Sequence, residues 1–311
     1  MCGIAGFVND MPIDVKCPVL QRMTDMIAHR GPDSEGHYID EHAALGHRRL
    51  SIIDLGGGQQ PIYNEDGSKV ITFNGEIYNY QTLREELIAA GHTFTTKSDT
   101  EVLLHGYEQW GVDLLQRVRG MFTFVIWDKN KQELFGARDH FGIKPFYYAK
   151  MNGTFMYASE IKSLLRHPDF VKELNAEALK PYMTFQYPAI GETFFKGVYK
   201  LPEGHYFTYR DGKMDIHRYY DEDFREGKQK LGELVNSIDQ TVCDSVKAHQ
   251  IADVEVGSFL SSGVDSSYVA AVARPQHTYS IGFGKGTYNE SQQAGELAEL
   301  LKLNNTAESL T

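Results

Sequence analysis

Cysteine is scarce in this 311-residue sequence, with three thiols, Cys2, Cys17 and Cys243, far apart and no Cys-x-x-Cys pair. That set suggests neither a disulfide framework nor a thiolate zinc site, and it suits a reducing compartment. Long apolar runs are missing too, so no 18-residue span could cross a membrane, and no basic stretch followed by an apolar one opens the chain. The cytoplasm is the expected location, with no membrane partner. Positive charge is outnumbered, 31 Lys and Arg against 42 Asp and Glu, for a net charge of −11. That balance argues against a nucleic-acid partner and for small molecules. Internal repeats and low-complexity tracts are also absent.

What is present begins at the second residue. Met1-Cys2-Gly3-Ile4 places a thiol one peptide bond from the terminus. If Met1 is removed, Cys2 carries both a nucleophile and an α-amine, which titrates near pH 8 and can serve as its base. The same cysteine also suits the start of a buried strand, since Ile4, Phe7 and Val8 read as core.

The charged stretch 221–230 is the most plausible seam. Before it, strands are expected at Gly3–Val8, Ala44–Ile53, Lys69–Asn74, Met121–Asp128, Glu133–Ala137, Phe146–Ala149, Phe155–Ala158 and Tyr206–Tyr209. Amphipathic helices are expected at Val19–Ala28, Gln81–Ala90, Thr100–Trp110 and Ala176–Met183. This pattern predicts sheet packed on sheet with helices outside. After the seam, a helix over Leu231–Val246 precedes a strand at Glu255–Leu260, the turn Ser261-Ser262-Gly263, a helix through Val272, a strand at Thr278–Phe283 and a helix capped by Asn289. That alternation is the start of a parallel α/β domain, with no closing element expected over Asn304–Thr311.

Two sets of residues suggest chemistry. The small-residue turn Ser261–Ser267 sits between strand and helix, where backbone N–H groups and the helix end favour a phosphate. Asp265 there could hold Mg2+ beside the phosphates, although a serine-rich helix cap explains the same residues. In the first domain, Arg49 could grip an α-carboxylate, Asn74 and Gly75 could donate to an oxyanion, and Glu76 and Asp99 could accept from an ammonium group. Arg49 also suits a surface charge, Asn74-Gly75 a hairpin turn, and Asp99 the N-cap of the following helix.

Together these residues resemble a family, the glutamine-hydrolysing asparagine synthetases. The resemblance runs in order through Cys2-Gly3-Ile4, His29–Asp33, Arg49–Ile52, Asn74–Asn79, Ser98–Glu101, Arg138–Pro145 and Ser261–Ser267. It implies an N-terminal-nucleophile αββα sandwich over 2–220, a linker at 221–230, and over 231–311 the start of a parallel α/β ATP-pyrophosphatase domain. It also implies Cys2 as nucleophile, Asn74 with Gly75 as oxyanion hole, and Arg49, Leu50, Ser51, Ile52, Ile53, Asn74, Gly75, Glu76 and Asp99 around glutamine. ATP would lie against Leu260, Ser261, Ser262, Gly263, Asp265, Ser266, Ser267 and Ile281, entering with Mg as a substrate complex and with no prosthetic group. Glutamine, aspartate and ATP are the implied small-molecule partners, and a homodimer is compatible with the resemblance. His29–Asp33 and Arg138–Pro145 read as structural or interdomain segments.

Two departures shape the expectation. Ser262 stands where the family's turn usually has its first glycine. The family's synthetase domain also continues well beyond 311 residues and includes an acidic, glycine-rich segment with no counterpart here. The expectation is therefore an asparagine synthetase in lineage whose first domain hydrolyses glutamine and whose incomplete second domain cannot alone make asparagine. The alternatives are a chain acting only as a glutaminase, another ATP-dependent class II amidotransferase, and a non-catalytic binding module.

Overall fold

Strands rich in Phe, Val, Ile and Tyr dominate the first two thirds of the chain, and in the computed structural model they pair into two six-stranded sheets. The structure describes residues 2–187, 189, 191–283 and 290–310. It divides into two units, Met1–Asp223 and Phe224–Thr311.

The first unit opens with β1 (Gly3–Val8), α1 (Ile13–Asp25), β2 (Ser34–Ile39) and β3 (Ala43–Arg49). Next come β4 (Ile62–Tyr63), β5 (Lys69–Ile77), α2 (Tyr80–Ala89) and α3 (Asp99–Trp110). The antiparallel strands β6 (Gly120–Asp128), β7 (Glu133–Arg138), β8 (Tyr147–Met151) and β9 (Thr154–Ala158) precede α4 (Ile161–Leu164) and α5 (Leu179–Phe185). The unit closes with β10 (Val198–Lys200), β11 (His205–Arg210) and β12 (Lys213–Arg218).

One sheet has the order β10-β8-β9-β1-β3-β2 and the other β12-β11-β7-β6-β5-β4. Every strand pair in them is antiparallel. Ile4, Leu45, Phe155 and Tyr157 of the first sheet and Val70, Val125, Trp127 and Phe207 of the second share one fully buried core. A second core lies between the first sheet and α1, where Ala5, Phe7, Leu20, Met23 and Ile27 meet. Because successive side chains of a strand face opposite ways, Ile4 enters one core and Ala5 the other. Each such fully buried Leu, Ile or Phe stabilises the fold by about 1.5–3 kcal/mol relative to leaving it exposed. α2 and α3 pack together, with α3 against β5, which completes four layers, αββα.

Several elements differ from expectation for identifiable reasons. α1 starts six residues earlier than expected and contains Pro18, because the buried Lys16 anchors its first turns by donating to the carbonyls of Asp40 and Glu41 at 3.1 and 2.6 Å. β3 ends at Arg49, not Ile53, and residues 50–58 form a loop tied by Asp54, which accepts from the N–H groups of Gly57 and Lys97. β2 and β12 carry few apolar residues, so alternation did not reveal them.

The second unit contains α6 (Leu231–Ala248), β13 (Ser258–Phe259), α7 (Val264–Ala273), β14 (His277–Phe283), α8 (Ser291–Leu301) and β15 (Asn304–Leu310). Its sheet is parallel, in the order β13-β14-β15. β15 corrects the expectation of no element there. Asn-Asn-Thr-Ala-Glu-Ser-Leu shows no strand pattern, and it becomes a strand through seven paired positions along β14. β13 is shorter than the expected Glu255–Leu260. The expected cap Asn289 lies outside the described residues. Leu260, Ala270, Ala294 and Ala298 form this unit's small core.

Candidate active site

Register places the thiol. β1 runs antiparallel to β3 with Gly3 opposite Arg48, so Cys2 comes level with the residues that leave β3. Leu50 accordingly brackets the sulfur: its N–H donates to Sγ at 3.4 Å and its carbonyl lies 3.5 Å away, accepting from the thiol. The backbone of Cys2 is held separately, its carbonyl accepting from Arg30 Nε at 2.9 Å while Arg30 Nη1 pairs with Glu160 at 3.1 Å. Burial pushes the Cys2 thiol up, and the Leu50 hydrogen bond only partly opposes this. The resting sulfur is therefore a thiol that needs a base.

The thiol opens on a cavity of about 210 Å3. Arg49, Leu50, Ile52 and Ile53 line one side, and Asn74, Gly75, Glu76 and Asp99 another. Of the residues expected around glutamine, Ser51 is the one outside this lining. Its N–H is turned away to Asp33 Oδ2 at 2.8 Å.

Asn74 and Gly75 are part of a strand, which removes the hairpin-turn reading. β5 continues to Ile77, with Asn74 opposite Thr123 and Gly75 opposite Phe122 of β6. A Cβ on Gly75 would meet the Met121 carbonyl oxygen at 2.2 Å, so only glycine lets the two backbones lie this close. The Asn74 side chain is fully buried, and neither its nitrogen nor its oxygen has a hydrogen-bond partner. An unpaired buried amide costs about 1–3 kcal/mol, and here it lines a cavity.

Arg49 is buried, which removes the surface-charge reading, and its Nη2 donates to the carbonyls of Ile53 and Asp54 at 3.1 and 2.7 Å. Gly58 lets the loop cross this guanidinium, since a Cβ would come within 2.7 Å of Nη2. Asp99 is not the helix cap. Ser98 caps α3, accepting from Thr100 N–H at 3.1 Å, which leaves Asp99 facing the cavity. Burial, with Glu76 nearby, pushes the Asp99 carboxyl up to about 7, although Ile77 N–H donates to it at 3.0 Å.

Other lining residues escaped the sequence reading. Gln60 orders the wall through Thr100 Oγ1 at 3.1 Å and Phe73 N–H at 2.7 Å. Ile143 and Lys144 also line the cavity, so part of Arg138–Pro145 belongs to the pocket wall. The charges before them do the structural work. Arg138 donates to the carbonyls of Lys144, Leu201 and Gly142, and Asp139 accepts from the N–H groups of Phe122, Phe141, Ile143 and Lys144. Burial lowers the Lys144 ammonium, and the Glu76 carboxylate opposes that. The motif in the sequence was the available signal for Lys144, but nothing in it said which of its charges faces a cavity.

In the second unit the serine turn forms between β13 and α7. Ser261 Oγ and Ser266 Oγ are 2.8 Å apart, and Ser261 Oγ accepts from Gly263 N–H at 3.1 Å. Ser262 N–H donates to the Glu290 carboxylate at 3.3 Å, so the turn already holds an anionic oxygen. Asp265 is exposed in the first turn of α7, Leu260 is buried beneath the turn, and Ile281 is half exposed on β14.

A thiol at the second residue, leading into a central strand of an αββα sandwich, defines the class of N-terminal-nucleophile amidotransferase folds. The family model described as a glutamine amidotransferase domain matches residues 1–220, and the one described as asparagine synthase matches residues 237–311. Glutamine-hydrolysing asparagine synthetase 1 of Bacillus subtilis is 44% identical over 98% of this chain and 49% of its own length. Asparagine synthetase 2 of that organism is 40% identical over 90% of this chain and 40% of its own. Among solved structures, a Bacillus subtilis glutamine phosphoribosylpyrophosphate amidotransferase superposes with a TM-score of 0.54 at 16% identity, covering 98% of this chain and 65% of that one. This last likeness is one of fold. The chain belongs to the glutamine amidotransferase family, in the branch that joins this domain to an asparagine synthase domain. It spans about half the length of the curated relatives it matches.

Proposed function

We propose that this chain hydrolyses glutamine at Cys2 and that the ammonia serves the ATP-dependent amidation of aspartate to asparagine. The observation that carries this reading is the buried, unpartnered amide of Asn74 in the wall of the cavity onto which the Cys2 thiol opens. Such a group is a preorganised donor waiting for an oxygen. Met1 lies outside the described residues, and the mechanism requires its removal so that the Cys2 amine becomes free.

The amine takes the thiol proton as sulfur attacks the side-chain amide carbon of glutamine. Asn74 Nδ2 and the Gly75 N–H stabilise the oxyanion. Collapse passes the proton to the departing nitrogen, giving ammonia and a thioester, which water cleaves to glutamate and the free thiol. Arg49 binds the substrate carboxylate, while Glu76 and Asp99 accept from its ammonium group. Leu50, Ile52 and Ile53 complete that wall, and Ser51 fixes the loop through Asp33.

At the second site, ATP would sit on Ser261, Ser262, Gly263, Ser266 and Ser267 between Leu260 and Ile281. Adenylation turns the aspartate side-chain carboxylate into a mixed anhydride with AMP as a good leaving group and releases pyrophosphate, and ammonia then displaces AMP. The exposed Asp265 carboxylate beside the serine turn suits Mg2+, which takes most of its ligands from phosphate and water and would neutralise phosphate charge. Glutamine, aspartate and ATP are thus the proposed small-molecule partners, in the cytoplasm. A homodimer is the assembly to check by light scattering.

Intact mass should show loss of Met1, and glutamate release should vanish in Cys2→Ala while the thermal melt is unchanged. Retained Met1 with no glutamate would overturn the mechanism. Pyrophosphate release with ATP and aspartate separates complete synthesis from glutaminase activity alone.

A further inference from the structure

Outside the thiol pocket, four side chains from three segments of the first unit converge: Glu65 after β4, His92 after α2, and His105 and Glu108 on α3. One ligand atom from each lies within 4.8 Å of all the others. We propose that they form a binding site for Zn2+ or a similar late first-row divalent cation, which ties the β4–β5 turn and the end of α2 to α3.

The orientation of the two imidazoles carries this inference. His92 Nδ1 lies 3.2 Å from Glu65 Oε1, and His105 Nδ1 lies 3.0 Å from Glu108 Oε2 and 3.4 Å from Glu65 Oε2. A tetrahedral zinc site with bonds of about 2.0–2.2 Å has ligand–ligand edges of roughly 3.3–3.6 Å; the imidazoles meet different oxygens of Glu65, and with one atom from each residue the set lies within 4.8 Å, so small side-chain rotations close it on an ion. Both rings turn their other nitrogen away from the centre and toward an acceptor. His92 Nε2 is 3.3 Å from Gln109 Oε1, and His105 Nε2 is 3.5 Å from Glu101 Oε1. That arrangement aims both Nδ1 atoms at the common point and leaves an oxygen behind each Nε2, hydrogen-bonded at His92 and at ion-pair distance at His105.

Glu101 is built for this supporting role. It is fully buried and accepts from the backbone N–H and hydroxyl groups of both Thr95 and Thr96 at 2.6–3.0 Å. The second oxygen of Glu108 is oriented by Asn64 Nδ2 at 2.7 Å, with Lys69 Nζ at 3.7 Å. Two imidazoles and two carboxylates give a neutral total charge with a divalent ion, and nitrogen–oxygen sets of this kind suit zinc. Without the ion the same groups make an ion-pair network.

The test uses the untagged full-length chain, stripped with chelator and titrated with Zn2+ alone against a chromophoric competitor. One tightly bound zinc per chain is expected, and Co2+ alone should give the intense visible bands of a four-coordinate site. His92→Ala should weaken zinc at least tenfold, and Glu101→Gln about 10–100-fold. Glu65→Gln, at a partly exposed side chain, tests the site without emptying buried space. Absence of a tight equivalent, or unchanged affinity in both His92→Ala and Glu65→Gln, overturns the proposal. It does not rest on the glutaminase reading, since the readout is metal binding.

Discussion

Asn74 combines two properties that stability alone would not select together: complete burial and an amide with no partner. Asn74→Ala should therefore lower kcat for glutamate release about 10²–10³-fold, as loss of an oxyanion donor does, while the thermal midpoint stays level or rises. A large fall in the midpoint would reassign Asn74 to the core. Asp99 likewise costs stability at neutral pH. Its pKa is raised from an ordinary carboxyl value to about 7, so between roughly pH 4 and 7 the folded state holds a proton that the unfolded state has lost. Stability from this group falls as pH rises through that window, and Asp99→Asn should flatten that part of the stability profile. The proposed contact with glutamine's ammonium requires the ionised form, so on that proposal KM should rise as pH drops below 7, up to about tenfold per unit. An unchanged KM between pH 8 and 6 would remove Asp99 from ammonium binding. At this scale the sequence picked out residues that prove to line one cavity, and it missed Lys144 because a buried lysine in a motif looks the same in one dimension as its structural neighbours.

The loop after β7 shows how an element positions chemistry without taking part in it. Arg138 and Asp139, both buried, satisfy three carbonyls and four N–H groups between them, and this fixes Ile143 and Lys144 in the pocket wall. A lysine cannot reproduce the planar fork, so Arg138→Lys should cost about 2–5 kcal/mol and raise KM for glutamine more than it lowers kcat. Denaturant melts and steady-state kinetics on the same preparation would check both. Strand ends carry a similar lesson. The apolar run Leu50-Ser51-Ile52-Ile53 reads as the end of a strand, but its backbone leaves the sheet where Leu50 meets Cys2 and Arg49 reaches the carbonyls of Ile53 and Asp54. Those contacts are non-local or side-chain mediated, and periodicity does not register them.

For the whole molecule, two units of unequal substance are joined by residues 221–230, which are exposed and without regular structure. Brief trypsin treatment should cut first at Arg225, Lys228 or Lys230, leaving a resistant fragment of the first unit that keeps glutaminase activity; mass spectrometry identifies the cut. Early cleavage within β5 or β6 would contradict the large core around Trp127 and Phe207. By itself the sequence determined the layered class of each unit and pointed to many of the residues from Cys2 to Asp99 that line the pocket. Local chemistry suffices for these, because strand alternation, helical spacing and motif order are written along the chain. Only the tertiary structure decided which candidates face the cavity, turning Ser51 out and bringing Lys144 in. It also made a strand of Asn304–Leu310 and gathered Glu65, His92, His105 and Glu108 at one point. Each of those outcomes depends on strand pairing or helix packing between residues distant in sequence, and the energy of such contacts appears only when the partners are in place.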